Sequence, residues 1–396
     1  MRKFTIMAAI AAFGAGLAAA DSKAQEAYVI GLTGDLSGPA SGTYKPLAEG
    51  FRVYFDALNK TGGINGRQVR LVTRDSRSDP NQAVADLNYF DSQKTHAVAF
   101  ISPSGTLGAY AKQSAQLKMP TMYVNACYPP ATPPKPAEEF FCPGISVLTD
   151  SLTAVDIIEK LMGKEKIKLA FLTTDIPGAR GAAEKLMKPA AEKKGIEVVD
   201  VAVMPVGTTD ASAIARGFQE KGVNAVISYT ISSHMLAGAD ALTKLKWKGK
   251  YLLTTGLPGT FTQMEQLKNE NIYAFDHFSL FSDNKRVHKT MIAAANEYNF
   301  GYPVSDIRWG WRNAHVMAKA LERCGMSCDR ATLLGVMNNL IVDDRDMVDL
   351  NGGPVQFTPT NHTSPEKSFN VFHWSKKAGK IVPALDWFIV KERDWN

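Results

Sequence analysis

Ser102-Pro103-Ser104-Gly105-Thr106 places three hydroxyls between an apolar run, Ala97–Ile101, and a stretch with helical spacing, Thr106–Leu117. Hydroxyls beside the free N–H groups of a helix start suit an anion such as a carboxylate. The same residues also make an ordinary N-cap, through Ser104 or Thr106. Serine can act as a nucleophile instead. The closest approach to G-x-S-x-G is Ile101-Ser102-Pro103-Ser104-Gly105, which lacks the first glycine. Neither G-x-x-x-x-G-K-[ST] nor H-E-x-x-H occurs. His96, His234, His277, His288, His315, His362 and His373 show no metal-ligand spacing. His277 and His373 lie in apolar surroundings and read as hydrogen-bonded structural histidines. Asp75 and Asp79 flank Ser-Arg-Ser and read as a loop residue and a helix N-cap rather than a catalytic pair. This chemistry favours a binder over an enzyme, and no cofactor or metal is expected.

The elements that must position these groups alternate. Tyr28–Leu32, Val69–Thr73, Ala97–Ile101 and Thr121–Val124 read as strands. Between them, Leu47, Phe51, Tyr54, Phe55 and Leu58 form one helical stripe, and Pro80 opens a second helix. A second block repeats the pattern, with strands at Ile167–Leu172, Ile196–Val203, Val223–Tyr229 and Tyr251–Thr254. Long helical stretches follow at His288–Asn299 and Trp309–Arg323, and strand-like alternation returns at Ser368–Trp374. Strands separated by helices predict an α/β fold of two doubly wound parallel-sheet lobes. Ligands of such sheets sit beyond the carboxyl ends of the strands. That singles out Ser102–Thr106, Asn125–Tyr128, Thr173–Arg180 and Thr254–Gly259.

At 396 residues, with 45% hydrophobic and 21% charged content, the chain is long enough for two such lobes. Arg2 and Lys3, the uncharged run Phe4–Leu17 and Ala18-Ala19-Ala20 have the layout of a secretory signal peptide, expected over residues 1–20. Its removal takes Lys+Arg from 45 to 43 against 39 Asp+Glu, a mild and scattered positive charge that excludes nucleic acid as a natural partner. In an exported chain, Cys127/Cys142 and Cys324/Cys328 form two local pairs, for which disulfides are the default.

Four landmarks occur in order: Ile30-Gly31-Leu32-Thr33-Gly34-Asp35-Leu36-Ser37-Gly38-Pro39; Gly62-Gly63-Ile64-Asn65-Gly66; Val69–Asp75 followed by Asp79-Pro80 and Ala83; and Gly353-Pro354-Val355-Gln356-Phe357. With the leader, they resemble the type I periplasmic solute-binding proteins of the leucine/isoleucine/valine-binding family, the receptors of ABC importers. The resemblance covers nearly all of the chain after the leader. It implies two lobes joined by a three-segment hinge. Residues 27–147 plus 278–350 would make the first lobe, and 148–277 plus 351–390 the second. It further implies a periplasmic monomer that presents a small molecule to an inner-membrane ABC permease.

Carried over residue by residue, the resemblance puts a ligand carboxylate at Ser104 and Thr106. It puts further contacts at Asn125, Ala126 and Tyr128, where the tyrosine and the neighbouring cysteine depart from the family's small hydroxylated residues. The loop after Ile167–Leu172 often supplies an aromatic residue; here Arg180 lies near that place, either pairing with a carboxylate or standing solvated at a helix start. Tyr229 matches another common contact. Tyr44, Tyr128 and Tyr229 together would make an aromatic wall. Amino-acid-binding members place an acid near Gly256 and Leu257 to hold an ammonium, and Thr254–Gly259 contains none. An unpaired buried ammonium is costly, so the expected ligand is a small organic carboxylate, aromatic among the options. A branched-chain amino acid or amide receptor is the alternative, revived by an acid such as Asp175. Presentation of ligand to a membrane sensor is a further alternative, and an enzyme ranks last.

Overall fold

A computed structural model describes residues 26–254 and 257–393. The leader expected over 1–20 lies outside the described residues. The chain opens with β1 (Tyr28–Gly34), α1 (Ser41–Lys60), β2 (Val69–Asp75), α2 (Pro80–Ser92), β3 (Ala97–Ile101), α3 (Leu107–Leu117), β4 (Thr121–Tyr123) and β5 (Phe140–Phe141). Their strands form one parallel sheet, ordered β2-β1-β3-β4-β5. Asp79 caps α2 as expected, accepting from Asn81 N at 2.8 Å, whereas Asp75, expected in a loop, is the last residue of β2 and accepts from Leu36 N at 3.0 Å.

The second block runs α4 (Val147–Met162), β6 (Lys168–Thr174), α5 (Pro177–Gly181), a π-helical turn (Ala182–Met187), α6 (Lys188–Lys193), β7 (Glu197–Met204), α7 (Ser212–Glu220), β8 (Ala225–Tyr229), α8 (Ser232–Lys244), β9 (Lys250–Leu253), α9 (Thr260–Leu267) and β10 (Ile272–Asp276). Helices α10 (Arg286–Glu297), α11 (Arg308–Cys324), α12 (Arg330–Met337) and α13 (Arg345–Asn351) follow, with a short antiparallel pair, β11 (Ile341–Val342) and β12 (Val355–Gln356). The hairpin β13 (Glu366–Ser375) and β14 (Lys380–Lys391) completes a second sheet, ordered β14-β13-β10-β9-β8-β6-β7. Its β6 to β10 are mutually parallel, and β13 and β14 are antiparallel additions.

Each sheet is covered on both faces. In β6, Phe171 joins one core with α4 residues such as Ile157, while Leu172 joins the opposite core with Phe218 and Leu242. That two-sided burial is why the strands read as continuous apolar runs. On the first sheet, Ile30 and Leu32 face α1 and α11, and Phe100 faces α2 and α3. Helices α1 and α11 meet at two glycines. A Cβ on Gly310 would stand 2.1 Å from Leu47 O, and one on Gly50 would stand 2.6 Å from Ile307 O.

The chain crosses between the two bodies three times: after β5, after β10 and after β12. The crossings are bonded to one another. Cys142 N donates to His362 O at 2.9 Å, Ser364 N to Gly144 O at 2.7 Å, and Ser279 N to Leu350 O at 2.9 Å. Val355 and Phe357, placed in the second lobe by the boundary at 351, pack instead in the first core beside Leu350 and Phe141. The disulfides Cys127–Cys142 and Cys324–Cys328 both form. Among the described residues no helix is long and apolar enough to cross a membrane.

Candidate functional site

The carboxyl ends of both sheets face each other across a cleft. Every described residue lining the cavity there ends or follows a strand: Thr43 and Tyr44 after β1, Ser104 after β3, Asn125, Ala126 and Tyr128 after β4, Ile176 and Ala179 after β6, Tyr229 at the end of β8 with Thr230 and Ile231 after it, and Thr254 and Leu257 after β9. The cavity is small, about 50 Å³. Roughly 150 Å³ accommodates benzene in a protein core. A ring-bearing solute therefore needs the two walls further apart than they stand here.

The walls touch. Gly178 N donates to Ser104 Oγ at 3.0 Å, Ser232 N to Thr43 Oγ1 at 3.0 Å, and Gly259 N to the Asp306 carboxylate at 3.0 Å. Gly178 has no side chain because none fits: a Cβ would meet Ser104 Oγ at 2.3 Å and Tyr128 Cε1 at 2.6 Å. On the first-sheet side, Asn125 Nδ2 donates to Tyr44 OH at 3.1 Å and to Tyr123 OH at 3.0 Å, which fixes the amide and aims Tyr44. On the other side, Thr173 Oγ1 donates to Tyr229 O at 3.0 Å, and Ile231 N donates to Thr174 Oγ1 at 3.2 Å, bracing the loop after β8.

Among the described residues, no lining side chain carries a charge. Burial raises the phenol of Tyr128 to about 12 and those of Tyr44 and Tyr229 further still, so all three are neutral hydroxyls across the ordinary pH range. Buried charge lies behind the site, where Arg308 pairs with Asp276 at 2.9 Å.

Tyr44, Ser104, Asn125, Ala126, Tyr128, Tyr229 and Leu257 are brought together as the sequence suggested. Gly256 lies outside the described residues. Thr106 does not reach the cavity: it turns inward, its hydroxyl donating to Pro103 O at 2.8 Å. Arg180 is corrected outright. It stands exposed on the outer side of α5, bonded to Asp175 at 3.2 Å and Glu184 at 3.1 Å, and Ile176 and Ala179 present the inner side instead. Asp175 is likewise exposed and engaged by Arg180, so it brings no acid to the cavity. Ile176, Ala179 and Thr254 line the site from segments singled out by their place after strands, though not named as contacts, and Thr43, Thr230 and Ile231 line it without having been singled out. The position of Thr230 and Ile231 just past the end of β8 was the available signal.

Two facing sheets with a closed, hydroxyl-lined cavity between their strand ends define a two-lobed small-molecule binder. The periplasmic binding protein family model matches residues 27–380, and the chain belongs to that family, one of transport receptors rather than enzymes. It is a solute-binding protein of the kind that serves ABC transporters. A search of curated proteins found no significant match. Solved structures do resemble it. A branched-chain amino acid ABC transporter protein from Thermus thermophilus with bound valine is 18% identical, with a TM-score of 0.78 over 92% of this chain and 97% of that one. A solute-binding protein from Rhodopseudomonas palustris HaA2 in complex with p-hydroxybenzoic acid is 19% identical, with a TM-score of 0.74 over 93% and 99%. A third, from R. palustris in complex with benzoate, is 16% identical, with a TM-score of 0.74 over 91% and 96%.

Proposed function

We propose that this receptor binds a small organic carboxylate, aromatic acids among them, between lobes formed by residues 27–147 with 278–357 and by 148–277 with the C-terminal hairpin. The observation that carries the reading is the uncharged cavity wall, in which Leu257 stands where an ammonium-binding acid would be expected and Ser104 stands at a helix start. A carboxylate is met there by hydroxyl and N–H donors, and Tyr44, Tyr128 and Tyr229 surround the rest of the solute. Ligand contacts both walls, so it favours the closed form by its differential affinity. The closed receptor then delivers the solute to an ABC permease of the inner membrane, acting as a periplasmic monomer after loss of residues 1–20. The p-hydroxybenzoic acid and benzoate complexes of similar structures are in keeping with this ligand class, and the valine complex marks the alternative.

A thermal-shift screen of residues 21–396 against aromatic acids, aliphatic acids, amides and amino acids tests the proposal. Stabilisation confined to non-amino carboxylates is expected. Stabilisation by leucine or valine would overturn it.

A further inference from the structure

Of the cross-wall bonds Gly178–Ser104, Ser232–Thr43 and Gly259–Asp306, only the last has an ionisable acceptor. Asp306 sits in the 3-10 turn Val304–Ile307 that leads into α11, and it is 6% exposed. Both of its carboxyl oxygens accept from Gly259 N, at 3.1 and 3.0 Å, and the Ser305 hydroxyl donates to Oδ1 at 3.1 Å. The turn is mounted firmly on the first lobe. Ile307 is buried in the first core, and Ile307 O lies against α1 at Gly50, where a Cβ would meet it at 2.6 Å. Helix α1 in turn carries Thr43 and Tyr44 to the cavity.

On the second lobe, Gly259 is the N-cap of α9, and the segment just before it brings Thr254 and Leu257 to the cavity. Thr254 is tied to its own sheet, its hydroxyl donating to Ser228 O at 2.8 Å. Leu257 is tied to α9 instead: its carbonyl accepts from Thr260 N at 3.1 Å and from the Thr260 hydroxyl at 2.7 Å. Where the start of α9 goes, Leu257 goes. In a capping box, the N–H of the N-cap residue is taken by an acid or amide three residues further on in the same helix. Here that position is Thr262, and the acid comes from the other lobe. A carboxylate at a helix start also meets the positive end of the helix dipole. A second group of the same lobe grips this helix start, the Arg308 guanidinium standing 4.9 Å over the Phe261 ring.

We propose that Asp306 is a positioning residue for ligand binding: from the first lobe it holds the start of α9, and through it Leu257, in place against the solute when the lobes meet. The role rests on the two-lobed binding reading above and not on the ligand being a carboxylate. Asp306 does not line the cavity, so it acts only through the segment it holds. A solute arriving between separated lobes does not feel the Asp306–Gly259 bond. A solute leaving the closed form does, because the lobes part only after that charge-assisted bond is broken. Asp306 therefore governs the dissociation rate and leaves the association rate alone.

The test is calorimetric titration and stopped-flow binding of residues 21–396 with benzoate and with leucine, for the wild type, Asp306→Ala and Asp306→Asn. For the probe that binds, Asp306→Ala should raise Kd about tenfold through faster dissociation. The association rate should stay within about twofold of wild type. Asp306→Asn keeps an acceptor for Gly259 N and should recover Kd to within about threefold of wild type. Hydrogen exchange of the liganded protein should quicken over residues 257–264 in Asp306→Ala and return toward wild type in Asp306→Asn. An unchanged dissociation rate in Asp306→Ala overturns the proposal and leaves the binding reading standing. So does an affinity loss carried by slower association, which a merely damaged fold would give. Should Asp306→Ala misfold, Asp306→Asn carries the test alone: a dissociation rate and exchange identical to wild type overturn the proposal, and faster dissociation with unchanged association supports it. Binding of neither probe by the wild type overturns the ligand reading and this proposal with it.

Discussion

Gly178 and Ser104 are 74 residues apart in sequence and share a hydrogen bond of 3.0 Å across the cleft. The backbone of one lobe thereby rests on the residue that the other lobe offers to a ligand. The contact exists only because residue 178 has no Cβ.

Gly178→Val should therefore hold the lobes apart. Its branched side chain meets Ser104 and Tyr128 at the point of closure, while α5 itself tolerates a side chain there. Ligand affinity should fall by at least tenfold, about 1.4 kcal/mol, with the ligand-free melting temperature little changed. Small-angle scattering should show no compaction when ligand is added. A variant that binds and closes normally would remove this contact from the closing mechanism.

Ser104 and Thr106 should separate cleanly. Ser104→Ala removes a lining hydroxyl and the Gly178 contact, and should weaken carboxylate binding by about 1–2 kcal/mol. Thr106→Val leaves the cavity wall intact and removes the bond to Pro103 O, costing stability of about 1 kcal/mol with affinity unchanged. Calorimetric titration and denaturant melts on the two variants check both halves.

Arg180→Ala should leave affinity within about twofold of wild type, because the guanidinium is spent on Asp175 and Glu184 outside the cavity. Exposed pairs of this kind add little, being screened by solvent. A large loss of binding would show that the side chain swings inward on the ligand.

Stability should also report on Asp150, buried in the first turn of α4. Its carboxyl holds a proton in the folded chain up to about 8, and releases it near the ordinary 3.8 when unfolded. The folded state thus binds the extra proton between those values, and stability falls as pH rises through that window, by up to about 1.4 kcal/mol per pH unit. Asp150→Asn should be more stable than wild type at about pH 7, and the gap should close near pH 4. Urea melts across that range check it; a constant gap would place the ionisation elsewhere.

The two disulfides should differ in weight. Chain entropy assigns about 3 kcal/mol to the Cys127–Cys142 loop and about 2 kcal/mol to Cys324–Cys328. Paired serine variants and thermal melts measure each.

Much of the fold was legible because buried parallel strands announce themselves as short apolar runs punctuated by helices. Ile272–Asp276 escaped because it follows Lys268–Asn271 with no preceding helix recognised at Thr260–Leu267. The hairpin strand Lys380–Lys391 escaped because its residues are mostly exposed or half-buried and include Pro383. Ser104, Asn125, Ala126, Tyr128 and Leu257 were legible because they trail strand ends that could be located, and Tyr44 and Tyr229 through the family resemblance and their nearness to a turn and a strand end. Arg180 misled because charge was weighed without direction: it follows Ala179 by one residue, about 100° further round α5, so Ala179 meets the cavity while Arg180 turns out to Asp175 and Glu184. Asp150 carried no local signal. Its acid lies in an ordinary first helical turn, and only the packing of α4 against β8 and β9 buries it.

The three crossings also set the order in which the molecule can come into being. The first core needs α10 to α13 and Phe357, and the second sheet needs β13 and β14. A growing chain that has reached residue 280 holds two unfinished halves, each waiting for the last third of the message. Neither lobe can cover both faces of its sheet until synthesis is nearly done, although the core of residues 83–142 and that of residues 170–274 lie wholly within the part already made. Each half thus waits with one face bare, and both become complete almost together.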